Sequence, residues 1–159
     1  MFSRRSLCLI LLAAASLVTT LSSDASAAYR QRYASWSYHT TRSYYYRQYY
    51  YKPYTSYSGY DYHYCIHYPS QPRYVYYYNP VSRVYWGRYD LESKGYSMLE
   101  EKDRKADLKE IPESAFPEPG EMPSIPGAED DVKIERPDPN DLPTGETPKD
   151  VPDDANAPQ

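Results

Sequence analysis

Cysteine is nearly missing from this chain: Cys8 and Cys65 are the only two in 159 residues. Cys8 lies early in an apolar run, away from any cleavage point, so it does not read as a lipid-attachment cysteine. Cys65 alone lies beyond that run, which excludes an intramolecular disulfide framework. An odd cysteine of this kind suggests an intermolecular disulfide through Cys65 or a free thiol. Glycine is also scarce, at six residues, and no Gly-rich phosphate loop is present. Nor is there an H-E-x-x-H zinc motif, an EF-hand loop, or a recognisable Ser-His-Asp or Cys-His setting. Leu, Ile, Val and Phe are thin after the first 28 positions, which argues against a large conventional core. So little scaffold gives poor means of holding catalytic groups in place. The expectation is a protein that is not an enzyme and uses no cofactor.

What is present begins with a leader. Arg4 and Arg5 precede the uncharged apolar run Leu7–Leu21, and Ala25-Ser26-Ala27 follows it. That is the layout of an export signal over residues 1–27, cleaved after Ala27 or, as second choice, after Ala28. The apolar run is shorter than the ~20 residues a spanning helix needs, so no stable membrane insertion is expected after cleavage. Ser3-Arg4-Arg5-Ser6-Leu7 also resembles a twin-arginine export motif. The expected destination is secreted, periplasmic or the cell envelope.

All 22 tyrosines fall between Tyr29 and Tyr96. Over residues 29–96, nine Lys/Arg face three Asp/Glu, a net of +6; over residues 97–159, seven face eighteen, a net of −11. A modest overall charge therefore hides a basic aromatic half and an acidic half. Residues 28–72 are a basic, tyrosine-rich segment of low complexity. No steady apolar face emerges there, so loose structure is expected, strand-like at most near Tyr60–Tyr68. Repeated Tyr–Arg contacts, about 0.5–1 kcal/mol each when exposed, would make such a chain sticky. The aromatic–basic pattern is shared with single-strand nucleic-acid binders, but export argues against nucleic acid as the natural ligand. Within the segment, His63, Cys65 and His67 would share one strand face. They are weak metal candidates, because their spacing matches no established zinc pattern, and no metal is expected.

Residues 73–99 read as the folded unit, a small three-stranded antiparallel meander. Asn79–Ser82 is taken as a four-residue turn, since Asn and Pro suit its first positions. Tyr78 then faces Arg83, Tyr77 faces Val84, Tyr76 faces Tyr85 and Val75 faces Trp86. One face carries the expected core of Val75, Tyr77, Val84 and Trp86. The other carries Tyr74, Tyr76, Tyr78, Tyr85 and Tyr89, the candidate binding face for a glycan or a proline-rich peptide. Gly87 would sit under the Tyr74 ring. A second turn at Glu92–Gly95, with Gly95 left-handed, would lead into a third strand, Tyr96–Leu99. Over about fourteen residues, Tyr76-Tyr77-Tyr78-Asn79, Ser82 and Trp86 resemble the second and third strands of a WW domain. The Asn-to-Trp spacing is one residue short, no Trp-Pro strand precedes nearby and no Pro follows Trp86. Shared hairpin chemistry, aromatics on strands and Asn in a turn, accounts for the likeness.

A meander this short must recruit more chain. Residues 100–127 form a charged connector and Pro-rich strap in which Ile111, Phe116, Met122 and Ile125 could dock on the meander. Ser97–Glu100 fits a capping box opening a short helix, which Pro112 would end by Ile111 and which competes with the third strand for Ser97–Leu99. Eleven of fifteen prolines lie in residues 112–159, favouring extended backbone. Residues 128–159 read as an acidic, Pro-rich disordered tail. The fold class expected is mostly disordered, low-complexity chain around a small all-β element. The function expected is that of an exported structural or interaction protein of the envelope or matrix. It would act through multivalent Tyr/Arg contacts with an envelope polymer or a protein partner, itself included. The alternative is a small secreted β module.

Overall fold

The computed structural model describes residues 30–143; residues 1–29, with the expected export signal, and residues 144–159 lie outside the described residues. The fold is all-β and antiparallel, but it is far more than a three-stranded meander. Seven strands form one curled sheet: β1 (Gln31–Tyr33), β2 (Ser37–His39), β3 (Tyr44–Tyr51), β4 (Asp61–His67), β5 (Tyr74–Asn79), β6 (Val84–Asp90) and β7 (Gly95–Met98). Their order is β1-β3-β4-β5-β6-β7, with β2 beside β1 on the same edge of β3. The tyrosine-rich run, expected to be irregular except near Tyr60–Tyr68, supplies four of these strands. β3, YYYRQYYY, has aromatics on both faces, and both faces are buried apart from the half-exposed Gln48 and Tyr50. A strand covered on both sides loses the apolar–polar alternation that would announce it.

The hairpin loops share one device. Loops of four residues join His39 to Tyr44, Asn79 to Val84 and Asp90 to Gly95. Each ends on a non-glycine residue in the left-handed region: Ser43 (φ 56°), Arg83 (φ 58°) and Lys94 (φ 58°). The second and third loops are fixed by a side chain at their start. The Asn79 Oδ1 accepts from the amides of Val81 and Ser82, and the Asp90 Oδ1 accepts from those of Glu92 and Ser93. Asx turns of this kind substitute a side chain for a backbone acceptor. Gly95 is therefore not the left-handed residue. It is a glycine because Pro119 crosses so close that a Cβ would lie 2.7 Å from the proline's own Cβ.

The expected register of β5 against β6 is corrected. Asn79 pairs with Val84, Tyr78 with Tyr85, Tyr77 with Gly87 and Val75 with Tyr89, with a bulge between Tyr77 and Tyr78. The loop is Pro80–Arg83 rather than Asn79–Ser82, and Trp86 is the extra residue. A bulge leaves two residues opposite one and shifts the rest of the strand to the other face. Tyr89 therefore joins Val75 and Tyr77, not Tyr85. Val84 belongs to neither cluster of buried residues and is half-exposed. Gly87 is covered by an aromatic ring, but the ring is Tyr96: a Cβ on Gly87 would lie 2.1 Å from the Tyr96 hydroxyl.

Two cores result, one on each face. The first face holds Tyr49, Tyr51, Cys65, Val75, Tyr77, Trp86, Tyr89 and Tyr96. The second holds Tyr44, Tyr46, Tyr64, Ile66, Tyr76, Tyr78, Tyr85 and Leu99. Phenol rings supply the apolar area that aliphatic residues supply elsewhere, and they meet mostly edge-on, as Tyr77 and Tyr96 do at 5.3 Å. The acidic half closes both cores. Residues 104–116 cross the second face, where Ile111 is buried and Leu108 and Phe116 pack partly. The chain then passes the β7 edge, where Tyr96 and Gly120 exchange backbone hydrogen bonds. Met122, Ile125 and Ile134 seal the first face. The strap thus docks with a wider reach than expected, and residues 128–143 of the expected disordered tail are part of the packed structure. No α-helix follows β7 among the described residues. Ser97 and Met98 are strand, with short 3-10 turns at Glu101–Asp103, Leu108–Glu110 and Glu113–Ala115. The Ser97 hydroxyl donates to the carbonyl of Pro117 instead of capping a helix.

Candidate functional site

The aromatic face expected to be open is a floor. Tyr76, Tyr78 and Tyr85 do share a face, but all three are buried beneath the strap. Burial pushes the Tyr76 phenol up to about 12 and that of Tyr85 further still. Tyr89 lies on the opposite face, and Tyr74 is half-buried at the rim. The Arg88 guanidinium is held between the rings of Tyr74 (3.9 Å) and Phe116 (4.0 Å) while bonding Glu113.

The His63–Cys65–His67 segment is buried on the first face. The three side chains do not converge. His63 Nε2 meets the Tyr51 hydroxyl at 3.3 Å, and His67 Nδ1 meets the Tyr74 carbonyl at 3.1 Å. Among the described residues no group of three His, Cys, Asp or Glu side chains could hold a metal. Burial pushes the Cys65 thiol up to about 12, despite the nearby Arg47, and pushes the His63 imidazole down to about 4. A neutral thiol is a poor nucleophile, and an intermolecular disulfide through Cys65 requires the sheet to open first.

Three buried arginines organise the acidic half. Arg30 bonds Asp130 and the carbonyls of Lys52 and Pro53. Arg47 bonds Asp141 and stacks on Tyr33 (4.2 Å) and Trp36 (4.5 Å). Arg88 bonds Glu113. Gln31 adds two bonds to the strap backbone, at Lys133 and Glu135. Much of the charge split is therefore spent inside the molecule.

A patch on β1, β3 and β4 keeps Tyr/Arg chemistry at the surface, as Arg73 beside Tyr74 also does. Arg32, Tyr50 and Tyr62 lie directly opposite one another across β1, β3 and β4. The Arg32 guanidinium lies 4.7 Å from the Tyr50 ring and 4.9 Å from Tyr60, and Lys52 Nζ lies 4.8 Å from Tyr60. Tyr50 meets Tyr62 at 5.8 Å. Arg32 is exposed and Tyr50, Tyr60 and Tyr62 are half-exposed. Sequence reasoning missed this strip because only the pairing register places Arg32 beside Tyr50 and Tyr62. It offers flat aromatic faces flanked by cations, a surface for stacking and charge pairing rather than for bond making.

Among the described residues no helix is long and apolar enough to cross a membrane. No protein-family model, no curated protein and no solved structure matches this chain.

Proposed function

We propose that this is an exported, non-catalytic binding protein of the cell envelope or extracellular matrix, and that the Arg32–Tyr50–Tyr60–Tyr62 strip is its contact surface. The observation that carries the reading is the partial exposure of this strip, whereas the arginine–aromatic groups at Arg47 and Arg88 are sealed by strap carboxylates and Arg73, beside Tyr74, is engaged by Asp90 and Glu92. Tyrosine rings stack on the apolar faces of sugar rings, and the exposed Arg32 can pair with acidic substituents. The partner is accordingly an envelope polysaccharide bearing carboxylate groups. The flexible, multivalent mode expected from the tyrosine count gives way to one rigid strip, because twelve tyrosines are buried.

The test is co-sedimentation of the purified full chain with an insoluble polyuronate and with its uncharged counterpart. Retention should favour the polyuronate, fall with salt as exposed charge pairs do, and drop in Tyr60→Ser/Tyr62→Ser. Equal retention of that variant would sink the assignment. Concentration-dependent assembly without polymer binding would put self-association in its place.

A further inference from the structure

Among the described residues Tyr54 is the one exposed tyrosine, at 55%. It sits in the loop between β3 and β4, where the Tyr57 amide donates to the Tyr54 carbonyl and brings the two rings to 5.3 Å, perpendicular. The Tyr57 hydroxyl donates to both oxygens of Asp61, at 3.1 and 3.0 Å. Other tyrosines end on weaker acceptors: Tyr33 on a backbone carbonyl, Tyr49 and Tyr76 on glutamine amides. A phenol bonded to a carboxylate has a base in place for its proton when an electron is removed. The hydrogen bond to Asp61 also raises the Tyr57 pKa, so the proton resides on the phenol in the resting state.

We propose that the Tyr54 loop is an oxidative modification site at which two copies of this chain are joined as dityrosine, the oxidant being hydrogen peroxide acting through a haem peroxidase. The peroxidase takes one electron from Tyr57 as its phenolic proton moves to Asp61. An electron then passes from Tyr54 to Tyr57, which recovers its proton from Asp61, while the Tyr54 proton leaves to water. Two Tyr54 radicals couple through ring carbons ortho to the oxygens, and the two displaced ring protons return the oxygens to phenols. Overall, two tyrosines lose one hydrogen atom each, one carbon–carbon bond forms, and one hydrogen peroxide becomes two waters. Tyr54 is the coupling residue; Tyr57 and Asp61 position the electron and proton transfers. This inference concerns a different surface from the Arg32 strip and does not depend on it.

The experiment treats the purified full chain with hydrogen peroxide and a haem peroxidase. Covalent dimer is followed by denaturing electrophoresis, dityrosine by its fluorescence and the linked residues by peptide mass spectrometry. The expected result is a dimer joined Tyr54 to Tyr54. Tyr54→Phe should lose it, and Asp61→Asn should slow its formation without moving the linkage. Tyr54 projects outward, so its variant should keep the circular dichroism of the parent. Dimer formation unchanged in Tyr54→Phe, or linkage mapped mainly to Tyr62 or Tyr68, would overturn the site. An unchanged rate in Asp61→Asn would overturn the relay.

Discussion

The two faces of the sheet are built from the same residue type and closed by the same strap, yet their polar atoms fare differently. On the second face the hydroxyls find partners: Tyr68 and Tyr85 bond each other at 3.0 Å, and Tyr76 donates to Gln71 at 2.6 Å. On the first face the Tyr96 hydroxyl, Trp86 Nε1 and His63 Nδ1 are buried without a hydrogen-bond partner. These groups cluster, since Tyr77, Trp86 and Tyr96 meet pairwise at 5.3–5.5 Å and His63 meets Trp86 at 5.3 Å. Buried polar atoms left unpaired cost roughly 1–3 kcal/mol each. A core of tyrosine thus gains ring area cheaply but must place every hydroxyl, and the first face places fewer of them. It depends correspondingly more on its cover.

The largest expected effect comes from that dependence. Ending the chain after Phe116 keeps the cover of the second face and removes Met122, Ile125 and Ile134 from the first. Burying three such side chains contributes roughly 5–9 kcal/mol, comparable to the ~5–15 kcal/mol stability of an ordinary domain. The truncation also strips Asp130 from Arg30 and Asp141 from Arg47, leaving two arginines without their carboxylates. The truncated chain should lose its near-ultraviolet circular dichroism and its cooperative urea transition. A cooperative transition near the parent midpoint would mean that the first face does not need the strap.

The extent to which this was readable beforehand divides along the same line. The placement of Val75 and Tyr77 opposite Tyr76 and Tyr78 was legible, because alternation survives in β5, as was the docking of Ile111, Met122 and Ile125. The rest was hidden for physical reasons. In β3 both faces are aromatic, so period two disappears into an unbroken run. Counting aliphatic residues understated the core, because tyrosine carried the apolar area. The bulge at Trp86 reverses Tyr89 and depends on Gly87 receiving the Tyr96 ring from a strand not yet positioned. Ser97 satisfied a capping pattern, but the sheet edge and the Pro117 carbonyl claimed it. The open strip at Arg32 is a property of register alone.

A smaller effect separates the faces by acid. His63 lies on the first face against Trp86 and Tyr51. Burial pushes its imidazole from the ordinary 6.5 down to about 4. Between those values the unfolded chain binds a proton that the folded chain does not, so stability falls as pH drops through the window. The loss totals about 3 kcal/mol and His63 adds none below pH ~4. His67, also lowered by burial, acts in the same direction. Urea titrations at pH 7 and pH 4.5 should show the fall, and His63→Phe should lessen it. An equal fall in that variant would place the acid sensitivity elsewhere.

The smallest effect is the sharpest, because it asks one chemical change to have opposite signs on the two faces. Tyr76 of β5 and Tyr96 of β7 are both buried, and each ring points into a different core. Tyr76→Phe deletes a hydrogen bond to Gln71 and should cost about 1 kcal/mol. Tyr96→Phe deletes a hydroxyl whose burial is uncompensated and keeps the ring contacts with Tyr77 and Trp86, so it should stabilise by about 1 kcal/mol. The loss of one oxygen leaves only a small void at either site, and both variants keep the surface exposed on unfolding, so the urea midpoint should move while the slope stays constant. Midpoints shifting downward in both variants would mean that the Tyr96 hydroxyl is satisfied in solution, and the contrast between the faces would then lie in their covers alone.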